Sequence, residues 1–183
     1  MDRVGHVLKS AAKILYWKCR YGGRFQAAPV QGFDRLYLEL APKAKISLAE
    51  RIQNRGMLYL LCGQGGRLRI GAHVFFNTNC SVSCMGEIRI GEYCKIGNNV
   101  VIVDHDHNYK DQSSEFLIGS IVIGNRVWIG ANCTILQGAQ IGDDCVIAAG
   151  SIVKGVVPAG SVYAQKRQTT VTDKRAGSGK AGV

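Results

Sequence analysis

From Ile123 onward a large aliphatic residue recurs every six positions, at Ile123, Ile129, Ile135, Ile141, Ile147 and Val153. The next residue is often small (Gly124, Gly130, Gly142, Ala148). Four positions after each aliphatic stands a small or β-branched residue: Val127, Cys133, Ala139, Cys145, Ser151 and Val157. The same phase runs earlier through Ile70, Phe76 and Val82, then shifts by two at Ile90, Ile96 and Ile102. A period of six matches neither an amphipathic helix nor strands joined by hairpin turns. It fits a chain that makes a short strand, turns and repeats. Three such sides close a triangular coil of about eighteen residues, and coils stacked at strand spacing build an all-β, parallel solenoid. The aliphatic residue points inward, and the fifth position must be small because walls converge there.

Upstream, Ile46, Ile52 and Leu58 are again six apart, which predicts degenerate first coils. Residues 4–17 read as a short basic amphipathic helix, with Val4, Leu8, Ala11 and Leu15 on one face and Val7 and Ile14 flanking it. That face would pack on the chain's own solenoid or a neighbouring subunit, or else lie on an anionic leaflet. The chain then divides into a helical segment over residues 1–32, a β-helix over 33–163 with an extruded loop at 103–120, and a basic, partly disordered tail over 164–183.

The 183 residues are 46% hydrophobic and 20% charged, a composition that suits one folded domain and excludes wholesale disorder. No apolar run is long enough to span a bilayer and no secretory leader is evident, so a cytoplasmic protein is expected. The net charge of +10 is unevenly placed. Residues 1–25 carry six basic side chains against one acid, residues 154–183 carry six against one, and the middle balances at 11 of each sign. With no continuous basic stripe interleaved with aromatics, nucleic acid is not an expected partner. An anionic small molecule, an acidic polymer or the inner face of a membrane fits better, the last through residues 4–17.

Four of the seven cysteines (Cys80, Cys94, Cys133, Cys145) fall at the small inward position, where a thiol acts as a compact hydrophobe. Their spacing is the repeat's and not that of a metal site. Cys19, Cys62 and Cys84 have no place in this pattern.

After Ile102 the period lapses and returns near Ile121. The interruption opens Val103-Asp-His-Asp-His-Asn108 and holds two of the four histidines, His105 and His107. Polar loops on rigid scaffolds commonly carry function, and imidazole accepts a proton near neutral pH. A metal reading of Asp-His-Asp-His would draw on His73, His105 and His107, but His-x-His in an irregular loop is weak evidence for a facial site, and no metal is expected.

Ile121-Val-Ile-Gly-Asn-Arg-Val-Trp-Ile-Gly-Ala131 and Ile141-Gly-Asp-Asp-Cys-Val-Ile-Ala-Ala-Gly-Ser-Ile-Val153 resemble the hexapeptide-repeat acyltransferases, in the galactoside, maltose and polysaccharide O-acetyltransferase branch. The resemblance covers roughly residues 68–162. It implies a left-handed helix, a homotrimer with active sites between subunits, acetyl-CoA as donor and a sugar or surface-polysaccharide precursor as acceptor. Counting five residues from Ile102, as in similar enzymes, makes His107 the general base, with His105 as fallback. Asn77, thirty residues earlier, matches the acceptor-side asparagine, and Trp128 matches a cleft-lining tryptophan. Asp104, His105 and Asp106 would orient the imidazole or bind acceptor hydroxyls, or serve only as turn residues. Gly130 or a loop N–H would supply the oxyanion donor. Ala131, Ala148 and Ala149 would admit a pantetheine arm, and Lys154, Lys166 and Arg167 would hold the coenzyme's phosphates. The segments Val153-Lys-Gly-Val-Val-Pro158 and Ala164-Gln-Lys-Arg-Gln168 depart from the usual pattern on that side. N-acetylation of an amino sugar, a carbonic-anhydrase-like metal enzyme and a non-catalytic scaffold are the alternatives.

Overall fold

A computed structural model describes residues 3–108, 116–166 and 168, with side chains from residue 10 onward. A nineteen-residue helix, α1 (Arg3–Tyr21), leads into a parallel β-solenoid of three faces. Face 1 stacks Phe25–Ala27, Lys45–Leu48, Arg67–Ile70, Glu87–Ile90, Ile121–Ile123, Gln140–Ile141 and Val156–Val157. Face 2 stacks Gln53–Asn54, Phe75–Phe76, Lys95–Ile96, Trp128–Ile129, Val146–Ile147 and Val162–Tyr163. Face 3 stacks Arg35–Leu40, Met57–Cys62, Cys80–Cys84, Val101–Val103, Thr134–Leu136 and Ile152–Val153.

The inward residues are the periodic ones. Phe76, Ile96, Ile129 and Ile147 form one buried column on face 2, and Val82, Ile102, Ile135 and Val153 form another on face 3. Coil length, however, is not constant. Ile46 lies opposite Leu68, 22 residues on, and Leu68 opposite Ile88, 20 on. Val122 lies opposite Gln140, 18 on, and Gln140 opposite Val156, 16 on. The excess sits on face 3, whose first strands have six, six and five residues where later ones have three or fewer. The longer strands bury one further inward column, Leu40, Cys62 and Cys84. This accounts for the two-residue shift in phase between Val82 and Ile90, and it gives Cys62 and Cys84 their place.

The inward thiols do more than fill space. Cys80, Cys94, Cys133 and Cys145 each lie within 3.0–3.1 Å of a carbonyl in the next coil, those of Gly97, Gly124, Ala148 and Pro158. A thiol there supplies a hydrogen-bond donor that alanine or valine would lack. Burial disfavours the thiolate and pushes the Cys94 thiol up to about 11, with Cys80 and Cys133 moved in the same direction. Cys84 is raised by its hydrogen bond with Cys62 and by burial. Cys19 is exposed and the other six are buried. A thiol reagent at neutral pH is therefore expected to modify Cys19 alone in the folded protein and all seven cysteines after denaturation. Rapid reaction of a second thiol would contradict this packing.

Corner geometry is equally specific. Asn79, Asn99 and Asn132 all take a left-handed backbone (φ 58, 55 and 58), which asparagine adopts with less strain than most residues. Their side chains form a ladder, Asn79 Nδ2 to Asn99 Oδ1 and Asn99 Nδ2 to Asn132 Oδ1, each 3.0 Å.

Two sequence expectations are corrected here. The solenoid begins at Phe25, ahead of residue 33, because Phe25–Ala27 pairs with Lys45–Leu48. The helix extends to Tyr21, and Leu15, placed on its buried face by the pattern, is 63% exposed. The docking stripe is instead Ser10, Ile14 and Trp17. Ser10 exchanges hydrogen bonds with the Phe33 main chain (3.2 and 2.9 Å), and Trp17 packs edge-on against Phe25 at 6.0 Å. Backbone groups left open by the first coil fix the helix's rotation, so a buried serine takes precedence over an aliphatic face. At the other end, Gln165 receives the Ile152 N–H and donates to the Ile152 carbonyl, both at 3.0 Å, standing in for a further strand. Among the described residues no helix is long and apolar enough to cross a membrane. The tail over 169–183 and Arg167 lie outside the described residues.

Candidate active site

The interruption of the repeat leaves the solenoid at the corner between faces 3 and 1 as a hairpin. His105–His107 pairs antiparallel with Phe116–Ile118, His105 opposite Ile118 and His107 opposite Phe116. Residues 109–115 lie outside the described residues. At the base of the hairpin Asp104 is wholly buried. It continues the inward column of Leu40, Cys62 and Cys84, and its carboxylate accepts the Met85 N–H at 2.7 Å and the Gly86 N–H at 2.8 Å. His105 Nδ1 lies 3.0 Å from the same carboxylate. Of the roles the sequence left open for Asp104, its burial excludes contact with an acceptor: its oxygens meet His105 and close off main-chain groups where face 3 shortens.

His105 is half-buried, with its ring edge-on to Phe116 at 5.2 Å. His107 is exposed, its ring against Phe116 at 4.8 Å, and Asp106 turns back to accept the His107 N–H at 2.8 Å. Phe116 therefore supports both imidazoles. Beside the hairpin a cleft of about 250 Å³ is lined by His105, Asp106, Gln137 and Lys154 among others. The Gln137 side-chain oxygen is buried there with no hydrogen-bond donor among the described residues. Sequence reading missed Gln137, since a polar residue two positions after the inward Ile135 carries no signal.

The remaining sequence-predicted residues gather on face 2. Trp128 stands outward, 57% exposed, in register between Lys95 and Val146. Asn77 follows Phe76 on the same face, and its Oδ1 accepts the Thr78 N–H at 2.9 Å. Two clefts flank this pair. One, about 400 Å³, has small walls: Gly97, Gly130, Ala131, Ala148 and Ala149, with Val146. The other, about 730 Å³, is aromatic and cationic: His73, Phe75, Tyr93, Lys95 and Arg126. Asn77, Gly97 and Trp128 line both. The aromatic wall was not foreseen; it forms because His73 and Tyr93 occupy successive left-handed corners (φ 59 and 58) and stack, centroids 4.6 Å apart. Arg126 grips Asp144 through two 2.7 Å contacts, which hold that carboxyl below its ordinary range.

Gly130 is excluded as an oxyanion donor, because its N–H is committed to the Ile147 carbonyl at 2.8 Å. Its role is close packing: a Cβ there would come within 2.6 Å of the Ala149 nitrogen. Lys154 lies beside the hairpin, away from the alanine-lined cleft, and Lys166 is exposed beyond the last strand. The two face 2 clefts contain neither His105 nor His107. In a triangular prism the corner between faces 3 and 1 lies opposite face 2, so one chain does not unite the hairpin with those clefts.

Residues 120–155 match the family described as bacterial transferase hexapeptide (six repeats), and residues 67–103 match the hexapeptide repeat of succinyl-transferase. The galactoside O-acetyltransferase of Escherichia coli (strain K12) is 35% identical over 103 residues, which is 55% of this chain and 51% of that protein. The chain spans about half the length of the curated relatives it matches. Among solved structures, a hexapeptide-repeat acetyltransferase from Vibrio cholerae O1 biovar eltor, complexed with acetyl coenzyme A, is 26% identical with a TM-score of 0.53, covering 86% of this chain and 79% of that one. A maltose O-acetyltransferase from Clostridium difficile 630, 21% identical with a TM-score of 0.55 over 88% of this chain and 83% of that one, shares the fold.

Proposed function

We propose that this chain, whose residues 67–103 and 120–155 match hexapeptide-repeat families, is an acetyl-CoA-dependent O-acetyltransferase acting on a hydroxyl of a sugar or surface-polysaccharide precursor. The observation that carries this reading is the pair of clefts sharing one wall. A pantetheine arm needs a narrow channel whose small side chains let it reach backbone, which the glycine and alanine side offers. A sugar ring needs an aromatic platform and polar groups at its edge, which Phe75, Trp128, Asn77 and Lys95 offer. The thioester and the hydroxyl then meet at Asn77 and Trp128.

The base comes from the hairpin of a neighbouring subunit in a homotrimer, since the geometry of one chain keeps His107 from its own face 2. His107 takes the hydroxyl proton as the oxygen attacks the thioester carbonyl, forming a C–O bond and a tetrahedral oxyanion. Collapse breaks the C–S bond, and the imidazolium returns its proton to the departing thiolate. His105, fastened to Asp104, positions the hairpin and leaves the proton transfer to its exposed neighbour.

Calorimetric titration of acetyl-CoA, with sedimentation to read the assembly, tests the donor side. One site per subunit of a trimer is expected, weakened by about tenfold or more when Ala149→Trp fills the narrow cleft. A folded trimer that does not bind, or an Ala149→Trp protein that binds as well as the parent, would sink the reading. NMR of the product then identifies the acetylated atom and separates O- from N-transfer.

A further inference from the structure

Face 1 carries a charge pattern that acyl transfer on face 2 does not use. Its outward residues line up across the rungs as Lys45, Arg67 and Glu87 in one row and Gln26, Ser47, Arg69 and Arg89 in the next. With Arg24 at the lower edge, these enclose a cleft of about 510 Å³ lined by four cations, a hydroxyl and an amide, and by no carboxylate. The one acid nearby, Glu87, is engaged by Arg89 at 2.9 Å. Among the described residues, Lys45, Arg67 and Arg69 take part in no ion pair. Arg24 is held in place, donating to the Ala41 carbonyl at 2.9 Å with its guanidinium 5.7 Å from the Tyr21 ring centre.

Stacked rungs bring like charges to within roughly 5 Å strand spacing, where they destabilise the sheet. Neutral outward residues serve the same face higher up, at Val122, Gln140 and Val156. The lower rungs therefore keep a repulsive cluster that an anion would relieve. Two arginine forks with a lysine point charge, a hydroxyl and an amide match the oxygens of a phosphate ester better than a single carboxylate. A second copy of the chain is a poor occupant, since two such faces repel.

We propose that this cleft binds a phosphate-bearing ligand of the diphosphate class, independently of the acyl donor. The ligand is either a soluble diphosphate or a phosphate carried on lipid. The test is calorimetric titration of inorganic pyrophosphate into the full chain and into Arg67→Gln/Arg69→Gln, Arg67→Lys/Arg69→Lys and Ala149→Trp. Flotation with phosphatidylcholine vesicles, with and without phosphatidylglycerol, runs in parallel. Pyrophosphate is expected to bind the parent and Ala149→Trp equally, about tenfold more weakly or worse in the Gln pair, and in between in the Lys pair, with affinity falling as salt rises. Both arginines are exposed, so the Gln pair is expected to melt no lower than the parent. Flotation with anionic vesicles, lost in the Gln pair, assigns the lipid-borne source, and pyrophosphate binding without flotation assigns the soluble one. A parent that binds no pyrophosphate, or a Gln pair that binds it as tightly as the parent, overturns the site. Loss in Ala149→Trp instead would place the anion in the donor cleft, and overturns it equally.

Discussion

His107→Ala is expected to lower turnover by a factor of about 10²–10⁴, the usual worth of a general base, while acetyl-CoA affinity and melting temperature stay at parental values. The imidazole is exposed, its ring contact is with Phe116, and the bond from Asp106 is to its main chain, which alanine retains. Folding should therefore not register the loss. His105→Ala provides the contrast. It removes the partner of a buried carboxylate, so activity and stability should fall together, with protease cutting sooner in the hairpin. Near-parental turnover in His107→Ala, measured by release of free coenzyme A, would remove His107 from the mechanism. If His105→Ala then lost turnover without loss of stability, the proton acceptor would be His105.

Asp104→Ala should be the most damaging single change to stability outside the aliphatic core. Two main-chain N–H groups, of Met85 and Gly86, would lose their acceptor in a site closed to water. Each buried donor left unsatisfied costs about 1–3 kcal/mol, so a loss of roughly 3 kcal/mol or more is expected in urea unfolding. Asp104→Asn separates charge from shape. The amide keeps one acceptor and turns an NH₂ towards a second N–H, and an intermediate loss should result. An Asp104→Asn protein as stable as the parent would show that one acceptor suffices.

The solenoid was legible because each side of each coil places one residue inward, so the core leaves a regular mark on the sequence. The same rule explains why the sequence left the role of Asp104 open. Its neighbours His105 and Asp106 are exposed or half-buried, and nothing local distinguishes the one carboxylate that enters the core. Only the register, which sets it above Cys84, shows it. The coil-length change was visible as a phase shift but not interpretable, since a two-residue insertion can enlarge any side. The rotation of α1 was hidden because it depends on the main chain of Phe33, remote in sequence. The loop histidines were found from a break in period, whereas the aromatic cleft of His73, Phe75 and Tyr93 arises from residues that are neighbours only between coils. The resemblance implied active sites between subunits, and within one chain the loop histidines do stand apart from the face 2 clefts.

The hairpin leaves the stack between the fourth and fifth of the seven rungs of face 1. In a solenoid each rung is held mainly by the two beside it, so thermal opening starts at the termini and works inward like the unzipping of a duplex. The helix slows this at one end and Gln165 at the other. Residues at mid-stack are the last to loosen, which puts His105 and His107 on the part of the molecule least exposed to fraying.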